Sequence, residues 1–290
     1  MLKLRDTHST AVRPDTSANE TANIEQQALE LQIGAHQDPG ITRRYKPNED
    51  TLFIIQGSMP PTTPTSVATP LSLLLVADGM GGLGNGKEAS RLAARTLYSY
   101  VTEVLASLPG TAEEDFLSML SGGVQRANQA LYRRNRAQST MGTTMTVVLV
   151  VGATAYVAHV GDSRLYRYQQ GSRLTQLTRD HSVVAMLVEQ GVIAREDVYS
   201  HPRRNEIYRC LGDKAIVEVD TFSVSLASSD ILLLCSDGLW EMVRDCQLSS
   251  ILTTPVPTLA DTAHALILAA LAGGGRDNVS AIVARMGGEG

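Results

Sequence analysis

Leu71-Ser72-Leu73-Leu74-Leu75-Val76-Ala77 runs straight into Asp78-Gly79-Met80-Gly81-Gly82. A run of that length and composition reads as a buried strand. Such a strand does not end on a carboxylate without cause, because an unpaired buried charge is expensive. Gly79, Gly81 and Gly82 let the backbone turn sharply and come close to a bound ion or phosphate. Taken alone, the junction is better read as a strand-to-helix turn with one solvated Asp. It is not alone, however. Asn48-Glu49-Asp50 precedes the apolar residues 52–55, Ser236-Asp237-Gly238 follows 231–235, and Arg276-Asp277-Asn278 precedes 279–283. Four carboxylate sites at the ends of four apolar strands, far apart in sequence, point to one convergent oxygen-ligand site.

Outward from these junctions the chain alternates between short strands and two long helical stretches. Residues 1–28 are polar without apolar period and read as a flexible tail. A first strand opens near Leu31 and ends at the turn Asp38-Pro39-Gly40. The Pro/Thr/Ser-rich residues 57–70 read as a hairpin loop. Apolar residues at 89, 92, 93, 97, 100, 101, 104 and 105 form a helical stripe over 87–108 that Pro109-Gly110 stops. Residues 113–136 repeat the pattern, with Gly122-Gly123 as a candidate kink. A hairpin is expected over 143–160 around Gly152-Ala153, then a strand at 165–168. An irregular lobe with one short helix near 183–190 follows, and an exposed strand over 215–224. An amphipathic helix at 259–271 precedes the last strand, 279–286, and residues 287–290 read as frayed. This succession is α+β and lacks the regular alternation of a doubly wound sheet. No internal repeat is present.

The chain of 290 residues is long enough to bury a full core. Its net charge of −5 gives no reason to expect nucleic acid or an anionic membrane as partner. Cys210, Cys235 and Cys246 lack metal-type spacing and suggest a reduced compartment. The polar N-terminal segment shows no signal-peptide pattern, and residues 143–160, the most membrane-like stretch, read better as two strands than as a span. A cytoplasmic location is expected.

Asp, Glu and backbone carbonyls without His or Cys are hard ligands that suit Mg2+ or Mn2+ and not zinc. Two such ions bridged by a carboxylate can activate one water, and a nearby arginine can hold a phosphate bidentately. The residues themselves thus point as far as a binuclear metal-dependent phosphohydrolase.

A resemblance extends this reading. In order along the chain stand Asn48-Glu49-Asp50, Val76-Ala77-Asp78-Gly79-Met80-Gly81-Gly82, Met141-Gly142-Thr143-Thr144 and Val160-Gly161-Asp162-Ser163-Arg164. They continue with Leu177-Thr178-Arg179-Asp180-His181-Ser182, His201-Pro202-Arg203-Arg204-Asn205, Ser236-Asp237-Gly238-Leu239-Trp240 and Arg276-Asp277-Asn278. Each is weak alone, but together and in this order they resemble the PP2C family of metal-dependent serine/threonine protein phosphatases, in its bacterial branch, over about residues 31–286. The resemblance implies a four-layer α-β-β-α sandwich: two mostly antiparallel sheets face to face, with helices on both outer sides. It implies a single domain over 29–286 with a flap subdomain at 178–212. Asp78 would bridge two Mn2+ or Mg2+ ions, and the Gly79 carbonyl would help one of them. Asp237 and Asp277 would complete the other, with Glu49 and Asp50 acting through bound waters. Asp162 would support a strand end. Water bridging the ions would attack phosphoserine or phosphothreonine directly, on phosphoproteins made by a cognate Ser/Thr kinase, and a monomer is expected.

Three departures from the family pattern matter. The family's phosphate-holding arginine would fall at Tyr45, so that role passes to Arg44 or Arg43 through a bulge, with Arg44 favoured. Met80 stands where animal enzymes carry a histidine proposed as general acid, and it cannot donate a proton. Ser139 stands where a third-metal aspartate is common, so a third ion would be weak or absent. His159 reads as a core residue and His181 and His201 as supports of the flap, while His36 lies near enough to the first turn to reach the site. The rival readings are a catalytically silent phosphoprotein-binding sensor on the same fold and a phosphatase of small phosphate esters.

Overall fold

The structure, a computed structural model, describes residues 31–59, 68–81, 85–108, 112–136 and 140–287. The expected tail at 1–28, Gly82, Pro109-Gly110, Ser139 and residues 288–290 lie outside the described residues, as does most of the 57–70 loop.

The apolar run 71–77 falls in strand β3 (Thr69–Ala77). Its residues divide by parity. Leu73, Leu75 and Ala77 pack toward two helices, while Leu74 and Val76 pack toward a second sheet. Both faces are buried, which is why the strand reads as continuously apolar and does not alternate. The same division holds in β6 (Met145–Val151) and β7 (Thr154–Val160), joined through Gly152 in a left-handed conformation at φ 56°. With β10 (Asp220–Ser225) and β2 (Thr51–Met59) these strands form one sheet in the order β10-β7-β6-β3-β2. The other sheet runs β1-β12-β11-β8-β9, from β1 (Leu31–Asp38), β12 (Val279–Met286), β11 (Ile231–Cys235), β8 (Arg164–Tyr168) and β9 (Thr175–Gln176). Every pairing within the two sheets is antiparallel.

Helices α1 (Asn85–Leu105) and α2 (Glu113–Asn135) cover the first sheet through Ala89, Ala93, Leu97, Leu120, Val124 and Leu131. The second sheet is covered by the short α3 (Val183–Glu189) and α4 (Asp237–Trp240), and by α5 (Asp245–Thr253) and α6 (Leu259–Ala272). A middle layer of Leu74, Val148, Val157, Leu232, Leu234 and Ile282 joins the sheets. The expected α-β-β-α sandwich is thus present, held by three apolar layers. Each fully buried Leu or Ile in them contributes about 2 kcal/mol.

Strand register decides where the acids go. Thr51 lies opposite Ala77, so the chain carries Asp50 and Asp78 off the ladder together. Cys235 lies opposite Ala281, so Asp237 and Asp277 leave the other sheet at the matching edge. A small hairpin, β4 (Gly79–Gly81) with β5 (Met141–Thr143), closes that edge.

Two local expectations are corrected. Gly122-Gly123 does not break α2, which runs through as one helix. A Cβ on Gly122 would stand 2.6 Å from the Tyr100 hydroxyl and one on Gly123 3.2 Å from Leu97, so these glycines serve the close approach of α1. The strand expected over 215–224 begins only at Asp220. Before it, the Lys214 and Ala215 carbonyls accept bonds from Asn128 of α2, and Gln125 holds Val217, so side chains take the place of a sheet ladder.

Candidate active site

The acids are positioned by their backbones, which frees their side chains. Asn48 accepts a bond from the Asp50 amide at 2.9 Å, a local turn that fixes the entry to β2. The Glu49 amide donates to Asn278 at 2.8 Å, and its carbonyl accepts from Ser90 of α1 at 2.6 Å. Asn278 also reaches the Pro39 carbonyl at 2.9 Å, and its amide caps Asp277 at 2.7 Å. The Asp78 amide donates to Thr144 at 2.9 Å. Its carbonyl accepts from the Thr144 amide at 2.9 Å and the Thr143 hydroxyl at 2.7 Å. Ser236 donates to one Asp50 oxygen at 2.7 Å and itself accepts from the Ser280 amide at 3.1 Å. Glycine leaves the remaining room: a Cβ on Gly86 would sit 2.4 Å from the Gly79 carbonyl oxygen and 2.8 Å from a Glu49 carboxylate oxygen.

Electrostatically the acids form one cluster. Burial, and then the charges of Asp50, Asp237, Asp162 and Asp277, hold Asp78 well above the usual carboxylate range. Burial holds Asp237 high as well, with Asp162 the largest charge contributor, followed by Asp277, Glu241 and Asp50. Burial pushes Asp50 up to about 6 and Asp162 up to about 7. Burial first and mutual repulsion second thus disfavour charging these acids together, and a bound cation would offset both. One oxygen of Asp50 and one of Asp237 are buried without any hydrogen-bond partner. Such oxygens are costly unless something outside the protein's own atoms binds them.

Arg43 supplies part of that charge. Its guanidinium bonds Asp277 through one terminal nitrogen and Glu49 through the other. Arg44, favoured on sequence grounds, is instead exposed and lies over the Tyr45 ring at 4.6 Å. The turn bond from Lys46 N to Arg43 O at 2.7 Å folds the segment so that the earlier arginine faces the acids. Asp162, expected only to brace a strand end, is 5% exposed and turns its charge on Asp237 and Asp78. Its carbonyl does have a bracing role, accepting from the Trp240 indole at 3.0 Å. His36 packs edge-on against His264 at 4.7 Å and makes no recorded contact with the acids. His159 is a core residue, bonded to Thr146 at 2.9 Å and to the Arg179 carbonyl at 3.0 Å. His181 accepts from the Gly161 amide at 3.0 Å and faces Asp220. The flap touches the cluster through Arg204, 3.8 Å from Glu241. Asn278, Ser236, Thr144 and Ser90 position the acids and carried no role in the sequence reading. The first three sit within or beside the acidic motifs, whereas nothing in sequence marks Ser90.

The donor set fits hard divalent cations: it is all oxygen, it includes two orphaned buried carboxylate oxygens, and glycine leaves a backbone carbonyl uncovered. Among the described residues no three Asp, Glu, His or Cys side chains close on a single point by themselves. Arg43 already engages one oxygen each of Glu49 and Asp277, the oxygens a cation beside them would also need.

Fold and site together define a class: an α-β-β-α sandwich with an acidic, hard-cation cleft at one sheet edge. Residues 61–271 match the family described as Protein phosphatase 2C. The chain is 40% identical over 214 residues, 73% of its length and 83% of the relative's, to the serine/threonine phosphatase stp of Listeria monocytogenes. It superposes on a serine/threonine phosphatase of S. agalactiae with TM-score 0.77 and 29% identity, covering 90% of this chain and 100% of that one. With the catalytic domain of PstP in complex with two manganese ions the TM-score is 0.71 and the identity 33%, covering 89% and 98%. The chain belongs to the protein phosphatase 2C family and resembles its bacterial members. No helix among the described residues is long and apolar enough to cross a membrane.

Proposed function

We propose that the protein is a metal-dependent phosphatase of phosphoserine and phosphothreonine proteins, the counterpart of a Ser/Thr kinase acting on the same substrates. The observation that carries this reading is the pair of orphaned carboxylate oxygens, on Asp50 and Asp237, within a cluster of mutually raised acids. Asp78, the Gly79 carbonyl, Asp237 and Asp277 would hold two Mn2+ or Mg2+ ions, with Glu49 and Asp50 acting through waters. When bound, the ions would polarise the phosphoryl group and supply the attacking water, with no phosphoenzyme.

The chain's own residues do the rest. Ser236 and the Ser280 amide fix Asp50, and the Thr143–Thr144 clamp fixes the backbone of Asp78. Arg43, whose planar fork lies between Glu49 and Asp277, would hold the phosphate bidentately once freed from those acids. Met80 offers no proton, so the leaving oxygen would take its proton from a bound water or another group. We infer further one domain over 29–286 with a flap at 178–212, working as a cytoplasmic monomer.

Hydrolysis of a phosphothreonine peptide with added Mn2+, repeated with EDTA, tests the reading. Activity with Mn2+ that EDTA removes is expected. Peptide bound but never hydrolysed would favour the silent sensor, and turnover confined to p-nitrophenyl phosphate would favour a small-ester phosphatase.

A further inference from the structure

The protein is acidic overall, yet one face of α1 is not. Lys87, Arg91 and Arg95 recur at the helical spacing that puts them in one row, and they line a concavity of about 390 Å³ along the helix. The acid in that concavity, Glu88, is already paired with Arg134 of α2 at 2.7 Å. Among the described residues no carboxylate forms an ion pair with Lys87, Arg91 or Arg95, and Arg91 and Arg95 are exposed. The row starts at the cleft: Gly86, immediately before Lys87, abuts the Gly79 carbonyl and the Glu49 carboxylate. It ends at Arg95, about 12 Å along the axis at about 1.5 Å per residue. An extended peptide leaving the cleft, at about 3.3 Å per residue, covers that distance in about four residues.

We infer that this row is a docking strip for the substrate protein, and that it selects phosphoserine or phosphothreonine followed or preceded within about four residues by Asp, Glu or further phosphoresidues. This rests on the phosphatase reading above. Cations without local partners on a chain of net charge −5 are charge-complementary to an acidic segment. Their row begins one residue after Gly86, which abuts the Glu49 carboxylate, so the same segment can present its phosphate to the acids' site. The contribution is one of encounter and positioning, because exposed pairs are weak one by one and act on association.

The test is Arg91→Glu/Arg95→Glu, both exposed and outside the acid cluster. The proposal expects unchanged Mn2+-dependent turnover of p-nitrophenyl phosphate, and a fall of about tenfold in kcat/KM on a phosphothreonine peptide with an acidic flank. A matched peptide with a lysine flank should be cleaved better by the variant than by the parent. Equal effects on both peptides, or none, would overturn it. So would loss in the variant of a parental affinity for duplex DNA or anionic vesicles, which would assign the row to those partners. Binding of the fluorescent acidic peptide to parent and variant is measured in parallel. Turnover of no substrate by the parent, with acidic-peptide binding still weakened in the variant, would sink the phosphatase reading and keep the strip.

Discussion

Asp162 and Arg164 are two residues apart, both buried, and belong to opposite kinds of electrostatic site. Arg164 is matched by the protein. Its guanidinium bonds Asp180 at 2.7–3.1 Å, donates to Tyr166 at 2.8 Å and lies 3.6 Å over the Trp240 ring. Asp180 takes a further bond from Gln176 at 2.8 Å. Among the described residues Asp162 is ion-paired with no cation. Burial first, then the Asp180 charge, drives it up to about 7 against a lowering by the nearby Arg164, and its own charge bears on Asp237 and Asp78. The protein matches a buried charge fully at Arg164, whereas in the acid cluster Arg43 and Ser236 meet only part of the charge and buried oxygens of Asp50 and Asp237 stay without a hydrogen-bond partner. A bound cation would complete the second set.

The largest expected effect follows from that contrast. Asp237→Asn should remove a ligand and lower Mn2+-dependent turnover of a phosphopeptide about 10³-fold, the scale of deleting a preorganised charge-stabilising group. The same change should make the metal-free protein more stable to heat, because it relieves repulsion within the acid cluster. Lost activity with lowered metal-free stability would mean that Asp237 is structural, and would erase the distinction between the two sites.

Next in size is the matched site. Asp180→Ala leaves Arg164 buried without its partner and should cost about 3–5 kcal/mol in denaturant unfolding. Replacing both partners by apolar residues of similar volume should recover much of that loss. No such recovery is expected from any apolar pair placed in the acid cluster, where activity is the readout that disappears.

The two sites should also respond to pH with opposite signs. His159, beside the matched site, is held down to about 4 by burial, with the His181 charge adding to it. The unfolded chain takes up this proton near pH 6.5, well before native His159 does. Its contribution is therefore complete above about pH 6.5 and is lost as pH falls toward 4, about 3 kcal/mol in all. The raised acids behave the other way in the metal-free protein: they disfavour the fold as pH rises through their native values and are least harmful in acid. Unfolding in urea at about pH 7 and about pH 4.5, for the parent and His159→Gln, separates them. The parent should lose more stability on acidification than the variant, and equal losses would contradict the assignment.

How much of this was legible in sequence depended on the kind of information each feature needs. Buried strands could be expected because β3, β6, β11 and β12 are apolar on both faces, whereas the four-layer architecture followed from the family resemblance of the motifs. The acids could be grouped because each flanks an apolar run, Glu49 and Asp50 before the edge strand β2 and the others at buried strands. Register was not visible, although the Thr51↔Ala77 pairing is what sets Asp50 beside Asp78. Neither was a role for Ser90, which arises from where α1 lands on the Glu49 carbonyl. The strand expected at 215–219 failed because Asn128 and Gln125, remote in sequence, supply the bonds that alternation was assumed to mark.

The choice of arginine shows the same limit and gives the finest comparison. Spacing favoured Arg44, yet the Arg43–Lys46 turn presents Arg43 to Glu49 and Asp277 and leaves Arg44 over Tyr45 in solvent. An arginine that holds phosphate should raise KM and lower kcat when removed, whereas a surface cation should do neither. Arg43→Ala is expected to reduce kcat/KM on p-nitrophenyl phosphate by about 10- to 100-fold, the worth of one or two charge-assisted bonds. Arg44→Ala should stay within about twofold, as exposed substitutions do. Because Arg43 also competes with cations for Glu49 and Asp277, Arg43→Ala should bind Mn2+ more tightly even as turnover falls. Weaker Mn2+ binding in that variant would show that Arg43 helps to build the acid cluster, and would remove the competition on which its phosphate role depends.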